Sequence, residues 1–261
     1  MERYVRVALV AGGATALLGA AAFLLNVDAV SGLWPYQTYG LSKVFIASLL
    51  AAIGAPVLWI GLSGELASLA GGAGNILVTG GGMGGWALWR VMNGAPPKVL
   101  WFALVCLFFV AAAAAMIVLS RRQAFRDTRP MPGLVRWSFA GFSLLLVVIG
   151  GMLVFRVPHI MPWPLDADAS VSYGFAFLGA AAYFGYGFAR PVLGNAIGQL
   201  LAFLAYDLVL IWPYLQRMDA VNGQAQLSLT LYIAVLVYSG LLAIYFLLLA
   251  PATKLRLAAA R

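Results

Sequence analysis

Asp207 is the residue in this 261-residue chain that most needs a chemical explanation. It interrupts the apolar run 200–212 (LLAFLAYDLVLIW), where a carboxylate at a helix centre costs about 2.5–3.5 kcal/mol to insert. With the run ending at 213, the carboxylate lies about six residues, or roughly 9 Å, inside the outer membrane boundary. Protonation, water or a cation must offset the cost. Lys43, Arg156 and Arg217 fall on the same side, and Tyr206 is adjacent. Two chemistries fit these residues. One is a proton or solute site opening outward, and the other is a hydrogen bond or ion pair that only joins helices.

Other polar residues in apolar surroundings form a second group. Asn75 and Asn195 follow glycines in two of the apolar runs, where asparagine amides commonly bond across helices. Gln199 is one turn from Asn195 and shares its face. The strip continues to Tyr206, with Asp207 to one side. Glu65 and Arg190 fall at corresponding turns as opposite charges, so a pair across the two halves is expected. His159 lies in a loop near Asp166 and Asp168. An exposed loop histidine accounts for it, and a weak metal or proton site with the two aspartates is the alternative.

The absences narrow the classes further. Cys106 is the only cysteine and His159 the only histidine, which removes intramolecular disulfides, CxxC redox pairs and bis-histidine haem ligation. No HExxH, GxSxG or paired intramembrane carboxylate motif is present. Lys43, Lys98 and Lys254 all lie near run ends, so no mid-helix lysine is placed for a retinal Schiff base. The glycines around 71–85 are neither preceded by a strand nor followed by Gly-Lys-Ser/Thr, unlike a phosphate loop. No catalytic residue, metal site or cofactor is expected, and the chain reads as a non-enzyme.

These residues must be held by membrane helices. Hydrophobic residues make up 64% of the chain and charged residues 9%, far too few charges for a soluble surface. Apolar runs near 6–26, 41–62, 68–90, 98–120, 134–154, 170–189, 191–213 and 228–250 approach the roughly 20 residues that cross a bilayer as helix. The expected fold is an all-α integral membrane protein of about eight transmembrane helices. The first run extends to about Asn26, longer than a signal-peptide core, and is read as a retained span. The third is so rich in glycine that a re-entrant, seven-span variant competes with eight, and clustered glycine also suggests a functional break.

Charge sets the orientation. Placing Arg3 and Arg6 inside puts Arg121, Arg122, Arg126, Arg129, Arg136, Arg190, Lys254, Arg256 and Arg261 with them. Lys43, Arg90, Lys98, Arg156 and Arg217 are left outside, an 11-to-5 bias matching the positive-inside rule. Both termini are expected in the cytoplasm, in the inner membrane of a bacterium. The net charge of +8 is then a topology and lipid-headgroup signal, and nucleic acid is not an expected partner. Tryptophans fall near run ends: Trp34, Trp86, Trp89, Trp101, Trp163 and Trp212 outside, Trp59 and Trp137 inside. This is where amphipathic rings prefer the headgroups.

The chain also matches itself weakly at an offset near 129. Val5-Arg6 and Val135-Arg136 open corresponding runs, and Trp34-Pro35 and Trp163-Pro164 follow them. Gly74-Asn75 corresponds to Gly194-Asn195 at a shorter offset, and Met92 loosely to Met218. Two parallel four-helix halves, 1–125 and 126–261, are expected, with the Trp-Pro segments together on the outer face. Tentative binding residues are therefore Asp207, Tyr206, Asn75, Asn195, Gln199, Lys43, Trp34 and Trp163. The favoured function is a non-catalytic structural or accessory subunit. It would bind membrane lipids, other membrane chains or its own copies through its helix faces. A small solute or proton-coupled carrier or channel, with its site near Asp207, is the alternative.

Overall fold

The structure is a computed structural model that describes residues 2–255; Arg256 and Arg261, assigned above to the inner side, lie outside the described residues. Eight long helices account for the eight apolar runs: α1 Glu2–Leu24, α2 Ser42–Ser63, α3 Leu69–Met92, α4 Pro97–Ser120, α5 Gly133–Val154, α6 Ala167–Ala189, α7 Leu193–Arg217 and α8 Gly223–Ile244. A one-turn helix at Asp28–Ser31 and a π-helical end at Tyr245–Leu249 are additions. Among the described residues the sole β feature is an isolated bridge, Pro130 to Val192. The protein is an all-α membrane protein. Six of its helices (α1, α2, α4, α5, α7 and α8) are long and apolar enough to cross a bilayer. The remaining two, α3 and α6, are diluted by glycine, serine and tyrosine.

The glycine-rich run does not break. Leu69–Met92 is one continuous 24-residue helix, so the interrupted-helix reading is corrected. Gly71 lies against Tyr183 and Tyr186, and Gly82 against the Phe175 ring. These glycines let α6 approach closely, and the seam repays their weak helix propensity.

Neighbouring helices alternate in direction. At one end Arg6 Nε donates to Gly61 O at 3.0 Å, Arg126 meets Glu2 at 2.6 Å, and Arg129 donates to Ala252 O. That end therefore holds both ends of the described chain and the 121–132 linker. At the other end Trp163 Nε1 donates to Ser42 Oγ, and Arg90 pairs with Asp168 at 2.9 Å.

The main helix seams are α1–α2, α3–α4, α5–α6, α7–α8, α2–α7 and α3–α6. They arrange the helices as two rows, α1-α2-α7-α8 and α4-α3-α6-α5, each drawing from both halves of the chain. One buried cluster near the linker end includes Phe139, Phe184 and Phe203. The other, near the Trp-Pro end, includes Phe45, Trp163, Tyr173 and Tyr214.

Local capping follows from residue type. Asp166 accepts from the backbone N–H groups of Asp168 and Ala169 at the start of α6, the usual work of an N-cap aspartate. Gly64 ends α2 at φ 75° and donates to Ile60 O at 2.8 Å, a left-handed C-cap suited to glycine.

Candidate functional site

The residues singled out by sequence gather mainly at the Trp-Pro end of α2, α6, α7 and α8. Trp163 packs on Phe45 with ring centroids 5.8 Å apart and on Tyr214 at 6.0 Å. Trp34 packs on Tyr173 at 5.8 Å and on Phe102 at 5.5 Å. Phe45 and Tyr173 meet at 4.6 Å, and Phe45 also touches Tyr206. Trp34 and Trp163 are therefore turned into the protein. Their expected headgroup position is corrected, because α2 and α6 offer aromatic faces that a lipid interface does not. Trp101, Trp137 and Trp212 remain exposed, as interfacial rings would be.

Beyond these rings the region is rich in hydroxyls. Tyr206 and Tyr232 share a hydrogen bond, and Tyr214 stacks edge-on to Tyr232 with centroids 5.1 Å apart. Trp34 Nε1, Tyr36 OH, Ser172 Oγ, Tyr173 OH and Tyr214 OH are buried, with Ser172 beside Tyr36, Ser42 beside Tyr173 and Tyr232 beside Tyr214 as hydroxyls within reach. Tyr36 sits in the loop before α2, and burial pushes its phenol up to about 12. Sequence reasoning missed Tyr36, Tyr173, Tyr214 and Tyr232. Tyrosine at helical spacing is a weak signal in a chain with 11 of them, and only folding shows which phenols converge.

Asp207 is buried at 5% exposure on α7. Because α7 continues through Pro213 to Arg217, the carboxylate stands ten residues, about 15 Å, from the helix end. Pro213 lacks one N–H but does not stop the helix. The carboxyl lies over Gly240 of α8, with Oδ2 3.4 Å from where a Cβ would stand. The Ser239 hydroxyl is alongside but gives its hydrogen to Val235 O and Leu236 O. Apart from this neighbouring hydroxyl, neither carboxyl oxygen has a hydrogen-bond partner.

The cations expected near Asp207 do not reach it. Arg156 stacks over Trp86, 5.0 Å from the ring centroid. Lys43 stands in the first turn of α2, and Arg217 is exposed at the end of α7. No basic side chain among the described residues is within ion-pairing distance of Asp207.

The amides divide. Asn75 Oδ1 accepts from Thr79 at 2.9 Å, and Thr79 also bonds Phe175 O across the α3–α6 seam. Asn195 is third in α7 and bonds locally to Arg190 O at 3.1 Å, so its expected equivalence with Asn75 does not hold. Gln199 does bridge helices, from α7 to Tyr183 O at 3.3 Å. Glu65 does not pair with Arg190. Its buried carboxylate accepts the Arg126 and Asp127 backbone N–H groups at 2.9 and 3.0 Å, because the linker amides reach it first.

The aspartates near His159 are engaged elsewhere. Asp166 caps α6 and Asp168 holds Arg90. The described residues contain no group of three or more His, Cys, Asp or Glu able to hold a metal. Comparison with protein-family models, with curated proteins and with solved structures finds no match for this chain.

Proposed function

We propose that this chain is a non-catalytic membrane scaffold whose outer helices α1, α4, α5 and α8 bind partner chains or lipids. One observation carries the reading. The interior is filled by packed aromatic and small side chains, while α4 presents large apolar residues along its length. Trp101 is 71% exposed and Phe108 69%, and α4 packs chiefly on α3. Clefts of about 60 and 220 Å³ have apolar linings, apart from a few amide and phenol atoms. Neither has the polar walls a solute path needs.

The scaffold spans the bilayer eight times as two parallel four-helix halves. Equal length and alternating direction support counting α3 and α6 with the other six. The seams support the repeat, since α1–α2, α3–α4 and α2–α7 have counterparts in α5–α6, α7–α8 and α6–α3. Arg6 bonds carbonyls at the end of α2, and Arg136 bonds Phe188 O at the end of α6. Trp34 packs on Tyr173 and Trp163 on Phe45, each pair tilted. The arginine-rich linker favours cytoplasmic ends in a bacterial inner membrane.

The test uses a photo-crosslinking amino acid at Phe108 on α4 and at Leu144 on α5, both exposed, in native membranes. Discrete adducts with one protein or lipid species are expected. Flux of a solute through reconstituted vesicles, lost in Asp207→Asn, would replace this reading with the carrier alternative.

A further inference from the structure

We propose that Asp207 and Ser239 form a proton-binding site in the α7–α8 seam, occupied at neutral pH and reactive toward apolar carboxyl reagents. The inference is independent of the scaffold reading, because it concerns one carboxyl group and no transported solute.

Three observations converge. Asp207 is 5% exposed and Ser239 2%, so water does not solvate the pair from the surface. Ser239 Oγ is the hydroxyl beside the carboxyl and can exchange one of its backbone acceptors, Val235 O or Leu236 O, for the acid; by geometry neither carboxyl oxygen accepts another hydrogen bond. The position is also deep, ten residues from the end of α7. An ionised carboxylate there would be a buried charge without compensation, whereas the neutral acid is a tolerable polar group.

The groups around the site leave the proton as its natural occupant. The nearby titratable groups are phenols, Tyr206 and Tyr214 on α7 and Tyr232 on α8. They are neutral donors that cannot balance an anion. The facing stretch of α2, 46–58, carries no ionisable residue, and Lys43 stands in that helix's first turn. A metal cation would need several oxygen ligands, and among the described residues no group of three or more His, Cys, Asp or Glu is present to supply them. The proton needs one.

Dicyclohexylcarbodiimide tests this on the full chain in liposomes. The reagent takes the acid proton on nitrogen while the carboxyl oxygen bonds its central carbon. The acyl group then shifts to nitrogen and leaves a stable adduct. The expected result is an adduct on the Asp207 peptide near neutral pH, because the reagent needs the protonated carboxyl. It should be absent in Asp207→Asn. A water-soluble carbodiimide should mark exposed Asp28 and Asp219 but spare Asp207. Absence of the adduct near neutral pH in folded protein overturns the proposal. If Asp207→Asn does not fold, infrared spectra of wild-type chain with isotope-labelled aspartate decide instead. A carboxylic C=O band at neutral pH is expected, and its absence overturns the site.

Discussion

Glu65 shows how one side chain fastens the linker between the two halves. Its carboxylate is 3% exposed and accepts backbone N–H groups from Arg126 and Asp127. Ser68 adds a 2.6 Å bond to Gly194 O beside it. Hydrogen bonds to a charged group contribute about 1.5–3 kcal/mol, and stranding buried donors costs a similar amount. Glu65→Ala should therefore lower stability by about 2–3 kcal/mol, with Glu65→Gln losing less because its amide oxygen still accepts. Thermal melting in detergent measures the loss, and proteolysis within 121–129 should quicken in parallel. A Glu65→Ala protein that melts with wild type would refute the latch. Sequence marked Glu65 as needing a partner but chose Arg190, since opposite charge is visible in a string of letters and a folded-back amide is not.

Among elements, the outer hairpins are joined where glycine removes side-chain bulk. A Cβ at Gly13 would fall 2.5 Å from Leu58 N of α2, and one at Gly174 would fall 2.7 Å from both Gly150 O and Val154 N of α5. Backbone cannot give way there as a flexible side chain does. Gly174→Val should destabilise the protein by about 1–3 kcal/mol through overpacking. Gly141→Ala, which meets nothing within 4 Å, should be neutral or slightly stabilising. Paired melting curves test this, and equal effects would show that the α5–α6 contact is unimportant. Helix positions were legible because apolar runs are long and loops short. The glycine-rich run was the doubtful case, and it stays helical because unpaired backbone in lipid costs several kcal/mol per group. That outweighs about 1 kcal/mol of glycine propensity per residue.

For the whole molecule, alternating directions predict a labelling pattern. In a Cys106→Ala background, single cysteines at Leu33, Asn93 and Asp219 should react from one surface. Cysteines at Leu62, Gln123 and Arg190 should react from the other. All six positions are exposed at helix ends or loops. Impermeant thiol reagents on sealed vesicles read the pattern directly. Leu62 and Asn93 labelling from the same side would mean that α3 does not cross, leaving fewer than eight spans. The linker arginines should face the cytoplasm, as their number demands of short loops.

Composition and periodicity alone determined that the chain lives in a membrane as helices, and roughly where each begins. These are local or summed properties, readable one segment at a time. Tertiary structure decided what touches what. It turned Trp34 and Trp163 inward onto Tyr173 and Phe45, placed Asp207 against Gly240 rather than a cation, and sent Glu65 to the linker amides. Such contacts join residues up to 139 positions apart, and their energies depend on helix rotation and depth, which no spacing in the sequence records.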